Sequence, residues 1–145
     1  MERNMKPVYL LDTNVISEFA KQKPNLKLIK KILNHGNLCA ISSTVWQESI
    51  YGYQRMPEGR KKQLVGDTMQ SIKDSYEIIP YDSFASEICG ELRARCEEKG
   101  KTLPFDDSQI AATAIANGMV LITHNTEDFA TLQEVSMLKV EDWWE

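Results

Sequence analysis

Four acidic residues stand where predicted elements meet, and their types and positions suit phosphodiester chemistry: Asp12, Glu48, Asp107 and Asp128. Asp12 follows an apolar run, Glu48 lies one turn into a helix, and Asp107 begins an alanine-rich segment. A lone acid before a helix is more often an N-cap, so capping is the alternative for Asp12 and for Asp107 taken singly. Carboxylates clustered without histidine or cysteine ligands select hard cations, Mg²⁺ or Mn²⁺.

Glu48 is the acid that a purely structural role explains least. It lies between Trp46 and Ile50, among apolar positions of an amphipathic segment, and residues 42–54 contain no Lys or Arg. Because an unpaired carboxylate near a core costs free energy, the pattern predicts a cation shared by the acids. A bound Mg²⁺ polarises a phosphodiester and lowers the pKa of a bound water. The predicted chemistry is therefore hydrolysis of phosphodiester bonds, with His124 as an alternative base.

The elements that must position these acids alternate between apolar strands and helices. Strands are predicted at 8–11, 38–41, 76–79, 119–123 and 138–140. Helices are predicted at 13–20, 24–36, 42–53, 57–75, 82–99 and 106–117, with a helical turn near 128–129. This alternation predicts an α/β fold whose central, mostly parallel sheet of about five strands is covered by helices on both faces. With the first strand central, the carboxyl ends of the strands form the ligand crevice.

Length and composition indicate one domain, residues 1–145, with enough apolar residues for a single core. No apolar run approaches the length of a membrane span, and the first residues do not resemble a signal peptide, so a cytoplasmic protein is expected. The three cysteines are an odd number and form no C-x-x-C pair. Buried, inert thiols are therefore expected rather than disulfides or a zinc site.

The net charge of −4 is unevenly distributed along the chain. Residues 21–62 carry nine basic side chains against two acids, a balance of +7, whereas residues 103–145 carry a balance of −7. Such asymmetry favours a basic surface for a polyanion beside an acidic site. Solvated helix faces are the equally ordinary interpretation of each lysine taken alone.

Four segments of the sequence, taken in order, resemble PIN-domain ribonucleases. They are LDTNV at 11–15, WQESIYG at 46–52, DSQIAA at 107–112 and THNTEDF at 123–129, and VEDW at 140–143 extends the likeness. More narrowly, they resemble the VapC toxins of bacterial toxin–antitoxin pairs. The resemblance covers nearly the whole chain and implies the PIN-like three-layer α/β/α arrangement.

The resemblance also implies roles for individual residues. Asp12, Glu48 and Asp107 match the family's metal-binding acids, and Asp128 matches a looser fourth position. Asp107 is the match rather than its neighbour Asp106, because the family acid precedes the I-A-A element by three positions; Asp106 is interpreted as a cap.

Three polar residues are expected to support the acids by orienting them or a water: Thr13, Asn14 and Asn125. Asn125 stands where many relatives carry a further acid. The resemblance therefore does not decide whether this chain has a complete second metal position.

For function, the resemblance implies a Mg²⁺- or Mn²⁺-dependent endoribonuclease that cuts tRNA or rRNA. It further implies a homodimer and a cognate, VapB-like antitoxin whose C-terminal segment fills the active-site groove. The apolar helices at 26–33 and 45–53 are the predicted groove, and core packing is the alternative for any one of their residues.

Two alternatives remain open at the level of sequence. One is a non-catalytic RNA-binding or scaffolding module of the same fold. The other is an aspartyl-nucleophile phosphohydrolase of the haloacid dehalogenase type, which requires a second acid where this chain has Asn14.

Overall fold

The structure, a computed structural model, describes residues 6–145, so the first five residues of the predicted 1–145 domain lie outside it. Its strands are β1 (Tyr9–Leu11), β2 (Cys39–Ser42), β3 (Glu77–Ile79), β4 (Val120–Ile122) and β5 (Lys139–Glu141). They form one parallel sheet in the order β3-β2-β1-β4-β5. The predicted α/β fold is confirmed, and β1 is the central strand.

The described residues form seven α-helices that cover the sheet in a three-layer arrangement. They are α1 (Thr13–Phe19), α2 (Leu26–His35), α3 (Ser43–Gln54), α4 (Arg60–Ser75), α5 (Ser83–Glu98), α6 (Phe105–Ala116) and α7 (Ala130–Val135). The sequence predicted only a helical turn near 128–129, whereas the structure has a 3-10 turn at Thr126–Phe129 that continues into α7.

Short polar side chains cap several of these helices. The side chains of Asp12, Asn25, Ser42 and Asp82 accept hydrogen bonds from backbone N–H groups at the starts of α1, α2, α3 and α5. Each such bond satisfies one of the free donors of a helix N-terminus. Three of these helices directly follow a strand or its exit loop, so the caps fix where the chain turns at the carboxyl edge of the sheet.

The core is built on strands that are buried on both faces. Leu10, Leu11, Ile41, Leu121 and Ile122 are fully buried, which explains why the strands are short continuous apolar runs. The buried alanines of α6 let neighbouring elements pack close to this helix. The main neighbour of α6 is α5, and the sheet is a smaller one. Among residues 6–145, no helix is both long enough and apolar enough to cross a membrane.

Candidate metal and nuclease site

Asp12 is buried at the carboxyl end of β1, and its carboxylate is held at both oxygens. Its Oδ1 accepts the backbone N–H of Thr13 at 2.8 Å, and its Oδ2 accepts the hydroxyl of Thr123 at 2.8 Å. Burial raises the pKa of Asp12 above its ordinary value, although these two hydrogen bonds act in the opposite direction. Asp12 therefore caps α1, which is the alternative role that the sequence left open for it. It also presents a fixed carboxylate at the edge of the sheet.

Glu48 is half-buried in the second turn of α3. Burial first, and then the neighbouring Asp106 carboxyl, raises the pKa of Glu48 to about 7. The hydroxyl of Thr13 donates to its Oε1 at 3.3 Å. In residues 6–145, no Lys or Arg forms a salt bridge with Glu48. The sequence had already excluded such a partner within residues 42–54, which contain neither residue type.

Asp107 lies in the first turn of α6, where burial raises its pKa to about 6. The charges of Asp106, Asp12 and Asp128 raise that pKa further, in this order. Asp128 itself is exposed on the 3-10 turn after β4. The structure thus brings Asp12, Glu48 and Asp107 to one edge of the sheet, with Asp128 at the exposed rim.

Asp106 joins this group in a way that the sequence did not predict. Its Oδ1 accepts the backbone N–H of Asp107 at 3.0 Å, which agrees with the interpretation as a cap. Its carboxyl also lies within hydrogen-bonding reach of Glu48 and helps to raise the pKa of Glu48. This contact joins α6 to α3, and no local pattern around positions 105–107 signals it.

The polar residues predicted to support the acids contribute in different ways. Thr13 donates to Glu48, as described above, and Asn14 donates from Nδ2 to the hydroxyl of Thr123 at 3.0 Å. Asn125 contributes its backbone N–H, which donates to the same hydroxyl at 3.1 Å. Thr123, which the sequence analysis did not single out, is the common partner. The sequence feature that could have identified Thr123 is its position, as the polar residue that ends the apolar run 119–123.

The donor set suits a hard divalent cation, although it is not a closed cage. Within the described chain, no three carboxylate, imidazole or thiolate side chains are arranged to hold one metal ion as they stand. Mg²⁺ keeps several waters and uses one or two protein carboxylates, so a closed cage is not required. Burial raises the pKa of Asp12, Glu48 and Asp107 above the ordinary values, and the neighbouring carboxylates raise it further.

Two cavities lie along α1, and one of them adjoins Glu48. One, of about 480 Å³, runs past Glu48 between α1, α3 and α4, and its floor is apolar, with Ile16, Met69 and Ile72. The other, of about 980 Å³, is lined by the basic side chains Lys21, Arg60 and Lys61. Lys61, from the basic segment of the sequence, lines both cavities and is the basic side chain that shares a cavity with Glu48.

The fold is a parallel α/β/α arrangement, and its carboxylates gather at the carboxyl ends of β1 and β4 and on α3 and α6. This combination defines a class of candidate metal-dependent hydrolases. A model of the PIN domain family matches residues 9–135. The chain belongs to the PIN-domain family, and its predicted likeness to VapC-type members is confirmed by the relatives described next.

Two relatives and one solved structure illustrate the match. The chain is 31% identical over 137 residues to the tRNA(fMet)-specific endonuclease VapC of Shigella flexneri, covering 93% of this chain and 97% of that protein. It is 32% identical over 127 residues to the toxin FitB of Neisseria gonorrhoeae, covering 83% and 89% respectively. VapBC2 from Rickettsia felis, bound to a DNA fragment from its promoter, superposes with a TM-score of 0.81 at 28% identity, covering 96% and 99%.

Proposed function

We propose that this protein is an endoribonuclease toxin that requires Mg²⁺ or Mn²⁺ at Asp12, Glu48 and Asp107, with Asp128 as a looser fourth ligand. The convergence of these acids at one sheet edge carries the proposal. No basic side chain of residues 6–145 forms a salt bridge with them, and burial raises the pKa of the three inner acids. A divalent cation removes this electrostatic cost for all of them together.

The protein's own residues would hold the reacting groups in place. Bound Mg²⁺ or Mn²⁺ would supply polarisation of the phosphodiester and a more acidic water. Asp12 is fixed in orientation by Thr13 and Thr123, so little reorganisation is needed when a cation binds. Glu48 accepts a hydrogen bond from the Thr13 hydroxyl and lines the cavity between α1, α3 and α4. Asp128 stands at the solvent side, where it can move to meet a ligand or a water.

RNA is the proposed substrate because the protein's relatives include an enzyme named as a tRNA-specific endonuclease. Structured RNA, tRNA or rRNA, is the proposed class within it. Two nearby cations, Lys21 just after the end of α1 and Lys61 on α4, offer sequence-independent contacts to its phosphates. The cytoplasm, where such RNA is found, is the proposed place of action.

A cognate antitoxin is the proposed protein partner, by analogy with the complexes to which the chain is similar. The apolar cavity beside Glu48 is a suitable seat for a helical or extended antitoxin segment, and an arginine on that segment would pair with the carboxylates. Helix α3 lines this cavity through Ser49 and Tyr53, whereas the residues that line it include none from α2. We therefore place the groove on α1, α3 and α4, and we include a homodimer in the proposal.

The decisive experiment is RNA cleavage by the purified protein after treatment with EDTA. Total tRNA and rRNA are incubated with no metal, with Mg²⁺ and with Mn²⁺, and the fragments are resolved on denaturing gels. Discrete fragments are expected only when one of the two metals is restored. Cleavage that continues at full rate in excess EDTA would refute the metal-dependent site.

The same assay separates the alternatives. A non-catalytic module would retard RNA in a native gel with EDTA present and would leave it intact in Mg²⁺. A phosphohydrolase with an aspartyl nucleophile would release phosphate from p-nitrophenyl phosphate, trap beryllofluoride on Asp12 and leave RNA uncut.

A further inference from the structure

A third cavity, of about 490 Å³, lies between α1, the loop to α2 and the C-terminal segment. Its walls include Asn14, Glu18, Lys21, Lys23, His124 and Trp144. Asn14 connects this cavity to the acidic site, because its Oδ1 accepts the backbone N–H of His124 at 3.3 Å while its Nδ2 donates to Thr123. Thr123 in turn donates to Asp12. The cavity is therefore two hydrogen bonds away from a proposed metal ligand.

One wall of the cavity is a pair of stacked aromatic rings. The rings of His124 and Trp144 are 4.7 Å apart between centroids and are inclined by only 25°. Asp142 fixes the pair, since its Oδ2 lies 3.1 Å from Nδ1 of His124 and its Oδ1 accepts the backbone N–H of Trp144 at 2.8 Å. The His124 side chain remains about half exposed, at 52%. A flat aromatic surface is thus held in place at the mouth of the cavity.

The lining of the same cavity also carries positive charge. Lys21 is paired with the buried Glu18 at 2.9 Å, yet its side chain is 62% exposed, so its ammonium group is still accessible to a ligand. Lys23 is exposed, and no salt bridge among residues 6–145 joins it to an acid. Glu18, the acid in the cavity lining, is engaged by Lys21 and by the backbone N–H of Asn25, and Asp142 is paired with His124.

We propose that this cavity binds one nucleotide of a single-stranded stretch of RNA, next to the phosphate that is cut. Its base would stack on the His124–Trp144 pair, and its phosphate would contact Lys21 and Lys23. Stacking platforms beside cations are how proteins hold single-stranded nucleic acid without reading its sequence. An acidic peptide would use the lysines and leave the aromatic pair without a partner. The inference rests on the proposed ribonuclease function and names a substrate subsite for it.

The test compares two substitutions of the same tryptophan. Binding of a fluorescent, unstructured RNA is measured by anisotropy with EDTA present, in a protein that also carries Asp107→Asn to prevent cleavage. Trp144→Leu keeps an apolar side chain and removes the stacking face, so affinity is expected to fall about tenfold. Trp144→Phe keeps a ring and is expected to retain most of the affinity. A merely structural role for Trp144 would not separate these two variants when their melting temperatures match.

A second pair of measurements uses inorganic polyphosphate as a probe of charge alone. The double variant Lys21→Gln, Lys23→Gln is expected to weaken binding of both RNA and polyphosphate, whereas Trp144→Leu weakens only that of RNA. Lys99→Gln is the matched control and should leave both unchanged, because Lys99 lies just after α5 and pairs with Glu134 of α7.

Two results would overturn the subsite. One is equal RNA affinity in Trp144→Leu and its parent, and the other is an equal loss for RNA and polyphosphate in Trp144→Leu. In either case the ribonuclease proposal survives if the chain with its native residues still cleaves RNA in Mg²⁺. Absence of any cleavage by that protein would instead count against the proposed function.

Discussion

The hydroxyl of Thr123 donates a 2.8 Å hydrogen bond to Oδ2 of Asp12, a residue 111 positions earlier in the chain. The same hydroxyl accepts hydrogen bonds from the Asn14 side chain and from the backbone N–H of Asn125. Thr123 is fully buried, and Asp12 is 6% exposed. One side chain at the end of β4 therefore fixes the acid at the end of the neighbouring strand β1.

Replacing Thr123 by valine keeps the shape of the side chain and removes all three hydrogen bonds. The free energy of unfolding is expected to fall by about 1–3 kcal/mol, because buried polar partners are left unsatisfied. Urea denaturation measures this loss. Thr113→Val is the matched control, since Thr113 is also fully buried but its hydroxyl bonds only to Gln109 O within α6. Equal losses in the two variants would contradict the special role of Thr123.

The metal-free protein is expected to be more stable in mild acid than above neutral pH. The pKa of Glu48 is about 7 and that of Asp107 about 6, against ordinary values of 4.5 and 3.8. Between the ordinary and the folded values, the folded protein holds protons that the unfolded chain has released, so stability falls as the pH rises through this window. In EDTA, the melting temperature should be a few degrees higher near about pH 5.5 than near about pH 8.

Added Mg²⁺ or Mn²⁺ should change that dependence. A cation that binds the ionised acids of the folded state stabilises it more at about pH 8 than at about pH 5.5. Glu48→Gln, which removes the group with the pKa of about 7, should flatten the pH dependence in EDTA. A melting temperature in EDTA that climbs steadily from acid to alkaline pH would show that folding does not raise the pKa of these acids.

Much of this arrangement follows from local patterns in the sequence. A continuous apolar run at 8–11, followed by Asp12, is enough to predict β1. The capping residue Ser42 likewise predicts the start of α3 from a few neighbouring residues. The placement of Asp12, Glu48 and Asp107 at one sheet edge then follows from parallel topology.

What the sequence did not predict depends on contacts between distant elements. The approach of Asp106 to Glu48 requires α6 to lie beside α3, and the role of Thr123 requires β4 to pair with β1. The groove predicted on α2 stays a prediction: Leu26 and Leu33 are exposed, and the residues that line the cavity beside Glu48 include none from α2. Such relationships are set by tertiary packing, which periodicity alone does not encode.

Lys61 is expected to bind RNA without taking part in the chemistry. It lines both the cavity beside Glu48 and the basic cavity on α1 and α4. Lys61→Gln should raise the KM for RNA about threefold with kcat unchanged, and it should reduce the slope of log affinity against log salt by about 1. Steady-state kinetics at several salt concentrations measure both effects. A lower kcat at unchanged KM would assign Lys61 to catalysis instead.

The three cysteines are expected to be unreactive in the folded protein. Cys39, Cys89 and Cys96 are buried, and burial raises the pKa of the Cys39 thiol to about 11. Because the thiolate is the reactive form, iodoacetamide at about pH 8 should label none of them at an appreciable rate until denaturant is added. Mass spectrometry counts the adducts. Rapid labelling of Cys39 under native conditions would show that its pocket opens to solvent.

The most direct test of the central claim is the rate of RNA cleavage by Asp107→Asn under matched Mg²⁺, beside Glu87→Gln on the exposed face of α5. Asp107→Asn removes one charge from a cluster of like charges, so the variant should melt at or above the temperature of the unmodified chain in EDTA. Its cleavage rate should nevertheless fall by about 100-fold or more, whereas Glu87→Gln keeps full activity. Cleavage by folded Asp107→Asn at the rate of the unmodified chain would contradict the carboxylate metal site.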